Sequence, residues 1–213
     1  MHINDIRQRF QVLWHGVADG ADAEAVWQAL DAGYGSAGRH YHDWRHVAAL
    51  LSGHAAVRTH PDFARLPADA IDLAIVFHDA VYDPARSDNE ALSAAMLSDC
   101  AGASRDCDTV RAASAMILAT ATHAASGDPS TQLLLDLDLA ILGAPRGDYI
   151  AYAAAIRQEY AAVPEDAWRI GRSAVLERFL ARPRLYQTRH FGALLEAAAR
   201  ANLAAELSQL RAG

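Results

Sequence analysis

Four places in this chain carry side chains able to bind a metal ion or move protons. The first is Tyr41-His42-Asp43-Trp44-Arg45-His46, in which His42 and His46 stand four residues apart. On a helix that spacing puts both imidazoles on one face. The second is His78-Asp79, which follows the apolar run Ile75-Val76-Phe77. The third is His123, and the fourth is Asp136-Leu137-Asp138-Leu139. Imidazole nitrogen and carboxylate oxygen form a mixed donor set suited to Zn, Mn, Fe or Mg. A carboxylate at the buried end of an apolar helix needs a partner, and a metal ion is an effective one. Asp136 and Asp138 lie about 200° apart on a helix, so only one of them should face a given site. The remaining histidines, His2, His15, His40, His54, His60 and His190, show no paired partner in the sequence and are read as ordinary residues.

His42-Asp43-Trp44-Arg45-His46 also lies one methylene from the HExxH zinc-protease motif. That chemistry depends on a glutamate long enough to activate water, and Asp43 is too short for it. No third zinc ligand is indicated, and His78-Asp79 would be left without a role.

Composition narrows the chemistry further. The 213 residues include ten histidines and 19 basic residues, every one an arginine. Without lysine there is no Schiff base, no pyridoxal-phosphate anchor and no P-loop lysine. A net charge of −7 argues against a nucleic-acid duplex as partner. Cys100 and Cys107 are too few for a disulfide framework and lack the CxxC spacing of a thiolate zinc site. No secretory signal is seen, and no apolar stretch approaches the roughly 20 residues that span a bilayer. A cytoplasmic protein with no membrane partner is expected.

The elements that must position these groups read as helices throughout. Alanine is abundant, β-branched residues are sparse, and apolar residues recur at three-to-four spacing, so the expected fold is all-α. Helices are predicted over about 3–17, 23–33, 41–57, 68–81, 88–97, 106–121, 130–142, 149–162, 165–180 and 191–210. Gly33-Tyr34-Gly35-Ser36-Ala37-Gly38 reads as a loop, and Asp88 as an N-cap. No repeat or linker divides the chain. One domain over 1–213 is expected, with the helices from about 145 forming a lid or lobe.

Taken together, the ordered residues His46, His78-Asp79 and Asp138 resemble the HD superfamily of metal-dependent phosphohydrolases. The likeness is closest to a bacterial group of predicted HD phosphohydrolases. It rests on Tyr41-His42-Asp43-Trp44-Arg45-His46, Phe77-His78-Asp79-Ala80-Val81-Tyr82-Asp83, Asp88-Asn89-Glu90 with Ser93-Ala94, and Asp138-Leu139-Ala140-Ile141-Leu142-Gly143. It extends into Tyr186-Gln187-Thr188 and Ala199-Arg200-Ala201-Asn202-Leu203, and so covers nearly the whole chain. The resemblance implies an HD-type helical bundle with additional C-terminal helices. It also implies a divalent metal ion (Mn, Mg, Fe, Co, Ni or Zn) held by His46, His78, Asp79 and Asp138. Asp138-Leu139 is similar to the Asp-Leu of cyclic-nucleotide phosphodiesterases, which favours Asp138 over Asp136. Those enzymes carry Tyr-His-Asn where this chain has Tyr41-His42-Asp43, and their histidine protonates the leaving oxygen. By that likeness His42 is the general acid.

The implied activity is cleavage of a phosphoester in a small phosphorylated molecule, with nucleotides among the candidates, by metal-activated water. Asp79 would bind metal and accept a proton from that water, and His42 would donate one to the departing alkoxide. Arg45, three residues from His42, is a candidate phosphate clamp. His123 falls where two-metal relatives supply extra histidines; a single such residue favours one metal, with His123 contacting substrate. Asp83 would lie one turn beyond Asp79 if the helix continued, and Glu90 is a candidate for orienting a ligand histidine. A homodimer is compatible with this reading. Two alternatives stand beside it: an HD-fold diiron oxygenase, and a non-catalytic nucleotide-binding regulatory protein.

Overall fold

The computed structural model describes residues 1–18 and 20–212. Among them the secondary structure is entirely helical: ten α-helices and two short 3-10 segments, with no strand. The chain divides into two compact units, Met1–Leu134 and Leu135–Gly213, and the division falls inside one helix. No helix of the described residues is long and apolar enough to cross a membrane.

The first unit holds α1 (Ile3–Val17), α2 (Ala23–Tyr34), α3 (Trp44–Val57), α4 (Ala68–Phe77), α5 (Asn89–Ala101), α6 (Asp108–Thr120) and the start of α7 (Pro129–Asp138). Its organising element is α4, in which every residue from Ala70 to Phe77 is buried. A helix covered on all sides lies in the interior of its domain, and α1, α3, α5 and α6 all pack on this one. From α1 come Ile6, Phe10 and Trp14, spaced four apart so that they form one apolar stripe. Trp14 stacks on Phe77 with ring centroids 5.8 Å apart, and Trp27 of α2 stacks on Trp44 of α3 at 4.6 Å. Each such ring, fully buried, contributes roughly 1.5–3 kcal/mol.

One buried residue of α4 is a carboxylate, Asp72. His54 of α3 meets it at 2.7 Å through Nδ1, and Arg9 of α1 donates to its other oxygen at 2.5 Å. The three groups tie α1, α3 and α4 together inside the unit. His54, read from sequence as lacking a partner, therefore has one.

Among the helix ends that differ from expectation, two bear on the site. The helix expected from about residue 41 begins at Trp44. Asp43 is its N-cap, with Oδ1 accepting the Arg45 backbone N–H at 2.8 Å. The helix expected to reach about residue 81 ends at Phe77, with His78 as C-cap. Beyond it, the Val81 N–H donates to the buried hydroxyl of Ser93 at 3.0 Å, so the chain bonds to α5 instead of continuing its own helix. The predicted helix 130–142 is α7 followed by a 3-10 segment, Leu139–Gly143.

The second unit holds the end of α7, that 3-10 segment, α8 (Arg146–Glu159), α9 (Glu165–Leu180) and α10 (Arg189–Ala212). α10 packs on both the 3-10 segment and α9. The closest approach is at Gly143, where a Cβ would meet Leu195 Cβ at 2.6 Å. Asn202 of α10 donates to the carbonyls of Leu142 and Ala144. Tyr149, Arg172 and Glu206 form a buried cluster in which the phenol and the guanidinium both donate to the carboxylate.

Candidate metal centre

Two helix ends bring three ligand atoms together. His46 sits in the first turn of α3, and His78 and Asp79 follow directly on α4. His46 Nε2 and His78 Nε2 are 3.1 Å apart. Asp79 Oδ2 lies 3.0 Å from His78 Nε2 and 3.6 Å from His46 Nε2. Both rings are buried, and the carboxylate retains a small accessible face. Among the described residues these three form the one group of histidine, cysteine or carboxylate ligands close enough to share an ion.

Local bonding sets the chemistry of these atoms. His78 Nδ1 lies 2.9 Å from the Ile75 carbonyl oxygen, which can only accept, so Nδ1 carries the hydrogen. Nε2 is then the ring nitrogen that faces His46 and Asp79, the one through which His78 could bind a metal. Burial pushes the Asp79 carboxyl up. The neighbouring imidazoles of His78, His42 and His46 outweigh it and hold the group well below the usual carboxylate range. Asp79 therefore offers an anionic oxygen.

The donor set fits a divalent transition metal. Bonds of about 2.1 Å at right angles place adjacent ligand atoms about 3.0 Å apart, close to the spacings found here. Two imidazole nitrogens and one carboxylate oxygen would supply three ligands to such an ion.

The structure puts His42 just before α3 and not on it. The expected shared helix face with His46 therefore does not apply, because Asp43 starts the helix one residue later. A loop still brings His42 near: its ring centroid is 5.8 Å from that of His46 and 4.3 Å from that of Tyr82. Arg45 is 79% exposed, and its guanidinium bonds Asp43 at 2.7 Å and the His40 carbonyl at 2.8 Å. Asp83 is in an exposed loop, so the helical turn that would have joined it to Asp79 is absent. Its carboxylate caps the Ala85 N–H, and its backbone is tied in both directions to Asn89. Glu90 lies half-buried in the first turn of α5. His123 is half-buried in the turn after α6, with a φ of 48° that few non-glycine residues adopt.

Asp138 ends α7 and is half-buried within the second unit. Asp136, two residues earlier, is fully buried and already committed. Its carboxylate accepts the N–H groups of Gln187 and Thr188 at 2.6 and 2.7 Å, and the Thr188 hydroxyl at 2.6 Å. Burial pushes its carboxyl up against the pull of those bonds.

Sequence reasoning missed Arg39, which lies in the segment read as a glycine-rich loop and its flank. It is buried, and it donates to the carbonyl oxygens of His42, Asp79 and Ala80. Nothing in its spacing marks it. Asp72, by contrast, carried a signal: a carboxylate inside the otherwise apolar run of α4. Comparison of the chain with protein-family models, with curated proteins and with solved structures found no match.

Proposed function

We propose that this chain is a metal-dependent phosphohydrolase of the HD type, acting on a small phosphorylated molecule with nucleotides among the candidates. The observation that carries the reading is the convergence of His46 Nε2, His78 Nε2 and Asp79 Oδ2 from two separate helix ends. Asp138 remains a ligand implied by the sequence resemblance alone, and the proposed centre is built from His46, His78 and Asp79. Asp136 is set aside because its carboxylate serves residues 187 and 188. When bound, a divalent ion supplies positive charge for phosphoryl oxygens and makes water more acidic.

The chain's own groups supply the rest. Asp79 faces the histidines through Oδ2, which leaves Oδ1 to accept a proton from attacking water. His42, half-buried beside His46 and in ring contact with Tyr82, is placed to donate a proton to a leaving oxygen. Arginine and histidine are the cations available for an anionic substrate, because the chain has no lysine. The test is a phosphoester screen of the purified protein with Mn, Mg, Co and Ni. Metal-dependent release of phosphate or of an alcohol from at least one substrate class is expected. Tight binding of a nucleotide with no turnover under any of these metals would contradict it.

A further inference from the structure

The geometry points to Arg39 as the positioning residue of the metal centre, and this inference rests on the reading above. Arg39 stands just ahead of the loop that carries His42 and leads into α3. Its Nη1 donates to the His42 carbonyl at 2.9 Å and to the Asp79 carbonyl at 2.5 Å, and its Nη2 donates to the Ala80 carbonyl at 2.9 Å. One guanidinium thus joins the segment entering α3, which bears His46, to the segment leaving α4, which bears His78 and Asp79. His46 and His78 lie 32 residues apart in sequence. A direct tie between their two segments fixes where the ligands meet.

The surroundings show that the side chain is built in. Arg39 is 8% exposed, and its Nε has no hydrogen-bond partner among the described residues. Its charge is met by the three carbonyl oxygens and by the faces of Tyr34 and Tyr82, at 4.9 and 5.6 Å from the ring centroids. Burying a guanidinium in this way is costly, and the return is the fixed geometry of two backbone segments. Tyr82 also packs its ring against that of His42, with centroids 4.3 Å apart, so Arg39 steadies His42 from the backbone and through a side chain. A lysine could not substitute, because an ammonium lacks the planar fork that reaches carbonyls in two directions. Gly33 completes the joint from α2: a Cβ there would meet the Ala80 carbonyl oxygen at 2.8 Å and the Arg39 guanidinium at 3.7 Å.

The test measures Mn2+ affinity by calorimetry in the wild-type chain and in Arg39→Lys, Arg39→Met and Gly33→Ala, with helicity and thermal midpoint recorded beside it. Affinity is expected to fall at least tenfold in all three variants while helical content is kept. Gly33→Ala is the variant that separates fold from site, because alanine favours α2 itself while displacing the Ala80 carbonyl. It also serves if the Arg39 variants fail to fold. Wild-type affinity in a folded Arg39→Met or Gly33→Ala protein would overturn the inference. Absence of Mn2+ binding in the wild type would overturn the proposed function instead. In that case amide hydrogen exchange decides Arg39: faster exchange confined to residues 40–46 and 78–83 in Arg39→Met supports the positioning role, and unchanged exchange there refutes it.

Discussion

His46 Nε2 lies 3.1 Å from His78 Nε2. Two imidazole nitrogens that both present lone pairs repel at this distance, so the contact requires a proton or a cation between them. The His78 ring cannot relieve the contact by exchanging its nitrogens, because Nδ1–H is committed to the Ile75 carbonyl. Asp79 Oδ2, 3.0 Å from His78 Nε2, adds a carboxylate oxygen to the two ring nitrogens.

The roles of His42 and His46 should separate experimentally. His42→Ala is expected to keep metal and to slow turnover by about 10²–10⁴-fold, the usual contribution of a positioned acid. His46→Ala is expected to lose metal and activity together. Calorimetry and kcat measured on both variants check this. A His42→Ala protein that loses metal would make His42 a ligand instead of an acid.

Asp72→Ala should destabilise the first unit. The change leaves His54 buried without its carboxylate and Arg9 without its ion pair. Breaking one side of a buried ionic network costs roughly 3–5 kcal/mol. Urea denaturation of the variant beside wild type measures the loss. A change within 1 kcal/mol would show that the network carries little of the fold's stability.

Asp136 gives a pH-dependent prediction. Burial raises its carboxyl above the ordinary value of 3.8, against the bonds from Thr188 and Gln187. The sign follows from linkage: the contribution of a raised group is fully present below the unfolded pKa and is lost as pH rises through the folded one. Wild type measured against Asp136→Asn should therefore gain relative stability between pH 7 and pH 4. Denaturation midpoints of both proteins across that range provide the check, and a gain in the opposite direction would mean that the Thr188 and Gln187 bonds dominate.

Gly143→Ala should destabilise the second unit by about 1–3 kcal/mol, the range for overpacking a fitted contact. Its Cβ would meet Leu195 Cβ at 2.6 Å and the Leu195 carbonyl oxygen at 2.9 Å. Both opposing groups belong to α10, which cannot yield locally without shifting. Thermal unfolding is the readout.

Helix identity was legible throughout because it rests on local periodicity. The stripe Ile6, Phe10, Trp14 marked α1 to the residue, and Glu165–Leu180 was equally clear. The ends near the site were less legible because tertiary partners set them. Asp43 was read as a helix residue between two histidines; as an N-cap it moves His42 off the helix. The stop after Phe77 depends on Ser93, twelve residues beyond Val81, taking up the Val81 N–H. His78-Asp79 was visible as chemistry because a charged pair after an apolar run is unusual. Arg39 was not, since its three acceptors are backbone carbonyls that no side-chain pattern encodes. The commitment of the Asp136 carboxylate was hidden as well, because its partners are residues 187 and 188, far along the chain.

Metal stoichiometry tests the central claim most directly. The protein is stripped with chelator, reloaded with Mn2+, desalted and analysed for metal per chain, with Asp79→Ala treated in parallel. A single ion per wild-type chain and none in Asp79→Ala is the predicted result. Equal metal in both proteins, or none in wild type, would contradict a centre built from His46, His78 and Asp79.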